Sequence, residues 1–202
     1  MKKQKSLTSK IKKLLLKKGR GEFVFVDDLD IDTSDNVRTA LKRLTDQGFL
    51  LRVDRGIYYF PKLSDKGIVL KPSSQQIVQA VTTHAGAKYR ENNQFVLNRL
   101  SLSDQVPMRT LYLTDKLNKT INFGKLQIRL VADPYRNAFK LKGDNSKLVI
   151  YAILGVGEGN VTPELIDSLR ARIALEKPRI LAHNVKLAPE WVQKVFYENN
   201  LV

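Results

Sequence analysis

Within ten residues the sequence places Ser34, Asn36, Arg38, Thr39, Lys42 and Arg43, side chains suited to reading and gripping a nucleic acid. Asn and Arg carry paired donors and acceptors that match adenine and guanine edges in the major groove. Lys42 and Arg43 suit phosphates. A little further on, Arg52 and Arg55 flank the turn Asp54-Arg55-Gly56, where a duplex backbone would pass. The other constellations fail. Asp28, Asp30 and Asp32 begin like a calcium loop, but Thr33 stands where Gly is required and Thr39 where Glu is required. Gly155, Gly157 and Gly159 imitate a dinucleotide loop, yet Asn160 occupies the third glycine site and no P-loop Gly-Lys-Ser/Thr follows. Tyr89 and Arg90 form a lone aromatic-basic pair. His84 and His183 sit in no metal spacing and beside no evident nucleophile, so both read as structural. No catalytic set, metal site or cofactor site is expected, and the chain does not read as an enzyme.

The elements that must hold these residues follow from periodicity. Thr33 or Ser34 caps a helix with apolar positions Val37, Ala40, Leu41 and Leu44, ending at Gly48. That spacing turns Asn36, Arg38, Thr39, Lys42 and Arg43 outward, and the N-terminal half of such a helix is the part that enters a groove. Before it, Leu7, Ile11, Leu14 and Leu15 recur at helical spacing and Phe23 to Val26 reads as a strand. After it, Phe49–Val53 and Ile57–Phe60 read as a hairpin. Helix, short strand, linker turn, helix, hairpin is the order of a winged helix-turn-helix. The expected organisation is therefore residues 1–62 as a winged helix, 63–72 as a polar linker bracketed by Pro61 and Pro72, and 73–202 as a mixed domain. That second part should hold a helix capped by Ser73 and Gln76, a small antiparallel sheet (110–114, 119–123, 126–131) and several helices broken near Gly155–Gly159, Pro178 and Pro189. The fold class is α+β.

Composition narrows the partners. Of 202 residues, 35 are Lys or Arg and 20 are Asp or Glu, a net charge of +15, which favours a polyanion. The surplus is shared about equally between the two parts. In residues 1–20 nine bases stand with no acid, and in 21–35 six acids stand with no base. A lysine-studded first helix can lie on anionic lipid, but it lacks Trp or Phe anchors, and a core helix with phosphate-facing lysines is the better reading. No cysteine is present, so disulfides and cysteine-ligated zinc are excluded. The longest apolar run, Leu148–Leu154, is far short of the ~20 residues of a membrane span. A cytoplasmic protein without a membrane partner is expected. In the second part Lys88, Arg90, Arg129, Arg136, Lys140 and Lys142 form a candidate basic interaction surface.

Several runs together resemble a known family. They are Asn36-Val37-Arg38-Thr39-Ala40-Leu41-Lys42-Arg43-Leu44, then Gly48-Phe49-Leu50, then Arg52-Val53-Asp54-Arg55-Gly56-Ile57-Tyr58 with Pro61. In the second half Leu102-Ser103, Val106-Pro107, Tyr112-Leu113-Thr114-Asp115 and Leu187-Ala188-Pro189-Glu190-Trp191-Val192 extend the match. The chain resembles AbiEi-type antitoxins of type IV bacterial toxin–antitoxin systems, in a subgroup with a short C-terminal domain, related to regulators of phage defence. The resemblance implies that the winged helix binds operator repeats in double-stranded DNA and represses its own operon. It also implies that the C-terminal domain counters a nucleotidyltransferase-like toxin, directly or indirectly. Two other readings remain open: a stand-alone winged-helix regulator with a sensing or dimerising C-terminal domain, and a winged helix that contacts protein instead of DNA.

Overall fold

The computed structural model describes residues 7–29, 34–103 and 110–202, without the side chains of Ser34 and Asp35. The expectations placed on Lys2, Lys3, Lys5, Asp30, Asp32, Thr33, Val106 and Pro107 lie outside the described residues. The described chain is mixed α+β and forms two compact units: residues up to His84 with Thr120–Ile128, and Ala85–Lys119 with Arg129–Val202.

In the first unit, α1 (Leu7–Lys18) is followed by β1 (Phe23–Phe25), a 3-10 turn (Val26–Asp28), α2 (Ser34–Asp46), β2 (Leu51–Asp54) and β3 (Ile57–Tyr59). The three strands form an antiparallel sheet in the order β1-β3-β2. Central β3 is buried at every position, which is why its sequence is a short unbroken apolar run with no alternation. The helical spacing of α2 places Val37, Ala40, Leu41 and Leu44 on one face, all buried against Ile11 and Leu15 of α1, Val24, Leu50, Tyr58 and Phe60. Each fully buried leucine contributes about 1.5–3 kcal/mol. The sequence assigns Leu14 to the apolar face of α1, but it is 44% exposed. The seam runs through Ile11 and Leu15, four apart, and Leu14 falls beside it. Gly48, at φ +69°, closes α2, its N–H donating to Thr45 O at 2.9 Å.

Residues 63–72 are more structured than a polar linker. Lys62 pairs with Leu70 and Leu63 with Val69, forming a small hairpin of β4 (Lys62–Leu63) and β5 (Val69–Leu70). Ser64 closes it: its N–H donates to the Ile68 carbonyl, its carbonyl accepts from Gly67 N, and its hydroxyl accepts from Ile68 N at 3.1 Å. Strands of two residues are too short to show alternation in sequence. The hairpin and α3 (Ser74–His84) belong to the first unit. Ser73 and Gln76 do form a capping box at the start of α3, at 2.8 and 3.2 Å.

The second unit contains β6 (Tyr89–Glu91), α4 (Asn93–Arg99) and β7 (Thr110–Thr114). Strands β8 (Lys119–Phe123) and β9 (Leu126–Ala132) follow in the chain, their residues 120–128 being those grouped with the first unit, and the sheet order is β6-β7-β9-β8. Four helices complete the chain: α5 (Asn145–Val156), α6 (Pro163–Ala174), α7 (Pro178–Leu187) and α8 (Glu190–Glu198). Helix α5 is buried over Val149–Ile153 and packs on α4, α6, α7 and α8. A helix enclosed by four others must be apolar on every side, so its sequence carries no amphipathic period. At its start Asn184 Nδ2 donates to Ser146 Oγ (2.8 Å), and the Ser146 hydroxyl donates to Glu176 (3.0 Å), tying α5 to α7 and to the loop before it. Thr162 caps α6, with Pro163 in its first turn.

Candidate functional site

Helix α2 and the β2–β3 hairpin wall a groove of about 450 Å³. Arg38 and Lys42, one turn apart on α2, line one side, and Arg52 and Arg55 of the hairpin line the other. Thr39, Thr45 and Tyr58 complete the walls, and Asp46 is the one carboxylate in the lining. All four cations are exposed. Among the described residues Lys42, Arg52 and Arg55 form no ion pair, so a dense positive charge is left for an anion.

Local structure fixes this geometry. Asp54 pairs with Ile57, leaving Arg55-Gly56 as a two-residue loop, and Gly56 takes φ +75°, a conformation that a side chain would strain. The Gly56 carbonyl accepts from Val26 N at 3.0 Å, fastening the loop to the turn after β1. That turn is held in its own way. His84 Nε2 lies 3.0 Å from Asp28 Oδ1, and its ring stacks on Phe25 at 3.8 Å. His84 thus ties the end of α3 to that turn.

The sequence-predicted DNA-binding residues separate into two sets. Arg38, Thr39, Lys42, Arg52 and Arg55 share the groove. Asn36, Thr39 and Arg43 border a second hollow of about 210 Å³ beside Leu7 and Thr8 of α1. Thr39 belongs to both. The division follows from helical geometry: 38 and 42 share one face, whereas 36, 39 and 43 share the next. Ser34 opens α2, and its side chain lies outside the description. The sequence does not single out Val26, Thr45, Asp46 or Tyr58, because none is basic and each enters the groove only through tertiary packing.

In the second unit Lys88, Arg129, Arg136, Lys140 and Lys142 are exposed. Arg90 is not, which corrects its place on a basic surface. Its Nε donates to Asp133 Oδ2 at 2.6 Å, with the two side chains 9% and 2% exposed. Nη1 donates to Asn93 Oδ1 (2.8 Å) and to the Glu91 carbonyl (3.1 Å), and the guanidinium stacks 4.0 Å over the Tyr151 ring. Burial pushes the Tyr151 phenol up to about 12; Arg90 opposes that rise and Asp133 adds to it. Tyr135 is raised for the same first reason, burial, and then by the proximity of Tyr151 and Asp133. No spacing in the sequence links Arg90 to Asp133, 43 residues away.

Among the described residues no helix is long and apolar enough to cross a membrane, and no group of three or more His, Cys, Asp or Glu gathers where it could hold a metal. No curated protein matches the chain. A family model described as a family of unknown function, DUF6088, matches residues 10–180, most of the length, and the chain belongs to that family.

Proposed function

We propose that the protein binds duplex DNA through its first unit, used as a winged helix-turn-helix, and that it is the antitoxin of a type IV toxin–antitoxin pair, repressing its own operon and opposing a nucleotidyltransferase-like toxin. The supporting observation is the groove between α2 and the β2–β3 hairpin, where Arg38, Lys42, Arg52 and Arg55 converge. In this reading Arg38 and Thr39 meet base edges, and Lys42, Arg52 and Arg55 meet phosphates of the flanking backbone. Asn36 and Arg43, on the adjoining face, contact the strand across the groove. The antitoxin half rests on the resemblance of both parts of the chain to that family, with the exposed cations of the second unit available to an acidic toxin surface.

Binding of the upstream region of its own operon, titrated against salt, tests the DNA half. Neutralising about four phosphates gives a log–log slope of roughly −4 or steeper. Equal affinity for random DNA would defeat it. A growth assay tests the other half. The full chain, expressed from a foreign promoter beside the toxin encoded next to it, should restore growth even when Lys42, Arg52 and Arg55 are replaced by Ala. Failure of that triple variant would mean that protection acts through transcription alone. Absence of a nucleotidyltransferase-like neighbour would favour the stand-alone regulator.

A further inference from the structure

A second concavity, within the other unit, is built differently. Strand β6, α4 and the first two turns of α5 enclose a cavity of about 410 Å³ lined by Arg90, Arg99 and Lys147 together with Val96, Leu148 and Tyr151. We infer that this cavity binds a small organic anion, a phosphate or carboxylate group attached to a compact apolar body. The inference is independent of the DNA reading, since it concerns another unit and another class of ligand.

The volume lies in the range of small-molecule sites, about 300–1,000 Å³, and the lining is more charged than is usual for them, three cations and two carboxylates beside the apolar Val96, Leu148 and Tyr151. The deepest cation is immobile. Asp133, Asn93, the Glu91 carbonyl and the Tyr151 ring fix the Arg90 guanidinium, and Asp133 is outside the cavity lining. Its Nε and Nη1 are occupied, while Nη2 has no hydrogen-bond partner among the described residues. A guanidinium so placed loses little freedom when it meets an oxyanion. Arg99 and Lys147 stand nearer solvent, each held by a lining carboxylate: Arg99 to Glu91 at 3.0 Å and Lys147 to Asp144 at 3.1 Å. Asp144 is 91% exposed, so releasing Lys147 to a ligand anion costs little. Val96, Leu148 and Tyr151 offer the ligand's body an apolar surface.

Calorimetric titration of the full-length protein tests this with four probes: phenyl phosphate, benzoate, inorganic phosphate and phenol. Saturable binding of phenyl phosphate or benzoate, with a Kd near or below about 1 mM, is expected, and whichever binds tighter identifies the headgroup. Arg99→Ala and Lys147→Ala, at partly exposed positions that leave the Arg90 network intact, should each weaken that binding about tenfold. Asp144→Asn should tighten it about threefold, a gain that damage to the fold would not produce. No saturable binding of either anion overturns the inference. So do unchanged affinities in both alanine variants, or phenol binding as tightly as the anions. Inorganic phosphate matching phenyl phosphate would remove the apolar body from the assignment and overturn it as stated.

Discussion

Two regions of this chain present arginine and lysine in a concave setting, and they treat the charge in opposite ways. In the groove of the first unit, Lys42, Arg52 and Arg55 are exposed and form no ion pair among the described residues, with Asp46 the lone lining acid. In the cavity of the second unit every cation has a carboxylate: Asp133 for Arg90, Glu91 for Arg99, Asp144 for Lys147. Uncompensated charge on an open surface suits a polymer whose phosphates recur along its length, and its attraction weakens steeply with salt. Compensated charge in an enclosed space attracts little from afar but discriminates by shape, because an entering ligand must replace bonds already made. Net charge alone does not separate these cases; pairing and enclosure do.

The most disruptive way to test the contrast is to break the compensated side. Arg90→Ala leaves Asp133 buried without its partner, which costs about 3–5 kcal/mol, and a thermal melt should show the loss plainly. An unchanged melting temperature would mean that the pair is not what holds this region together. Next comes pH. The folded Tyr151 value near 12 stands above an unfolded value near 10, so its contribution is complete below about pH 10 and is lost as the pH rises through 12. Two units correspond to about 2–3 kcal/mol. Urea melts at about pH 9 and about pH 12 should show the wild type losing more stability than Tyr151→Phe. In the groove, Arg38→Ala should cost roughly 1–3 kcal/mol on the preferred DNA and flatten sequence preference. The smallest effect sharpens the comparison most. Lys42→Ala should weaken all sequences alike and reduce the salt slope by about 1, whereas Arg99→Ala should leave the slope unchanged. Equal changes in both variants would erase the distinction between the regions.

Where the sequence is legible, local spacing and final packing coincide. Val37, Ala40, Leu41 and Leu44 announce both a helix and its buried face, Ser73 and Gln76 announce a cap, Pro163 marks a helix start, and Pro178 and Pro189 mark breaks between helices. The groove is half legible, since the arginines and lysines are plain but helical phase and the hairpin decide which of them converge. The hairpin at Lys62–Leu70 is hidden because two-residue strands carry no period. Leu148–Leu154 lies in a stretch that the sequence reads as helical, and it is a helix, although burial on all sides removes the polar stripe that would show its phase. Arg90 misleads most. A basic residue is read as surface until its acid is found, and Asp133 lies too far along the chain for any local rule to connect them.

The residues of the first unit are not consecutive. Those up to His84 are joined by Thr120–Ile128, which include the fully buried Ile121 and Ile128. On a ribosome this imposes an order of events. When His84 has emerged, the first unit still lacks a piece that is made roughly forty residues later, a delay of a few seconds at ordinary elongation rates. The unit at the front of the chain therefore cannot finish folding before the first stretch of the other, Ala85–Lys119, has been synthesised. A cell that meets this protein during synthesis meets it incomplete, and chaperone engagement should concentrate in that interval.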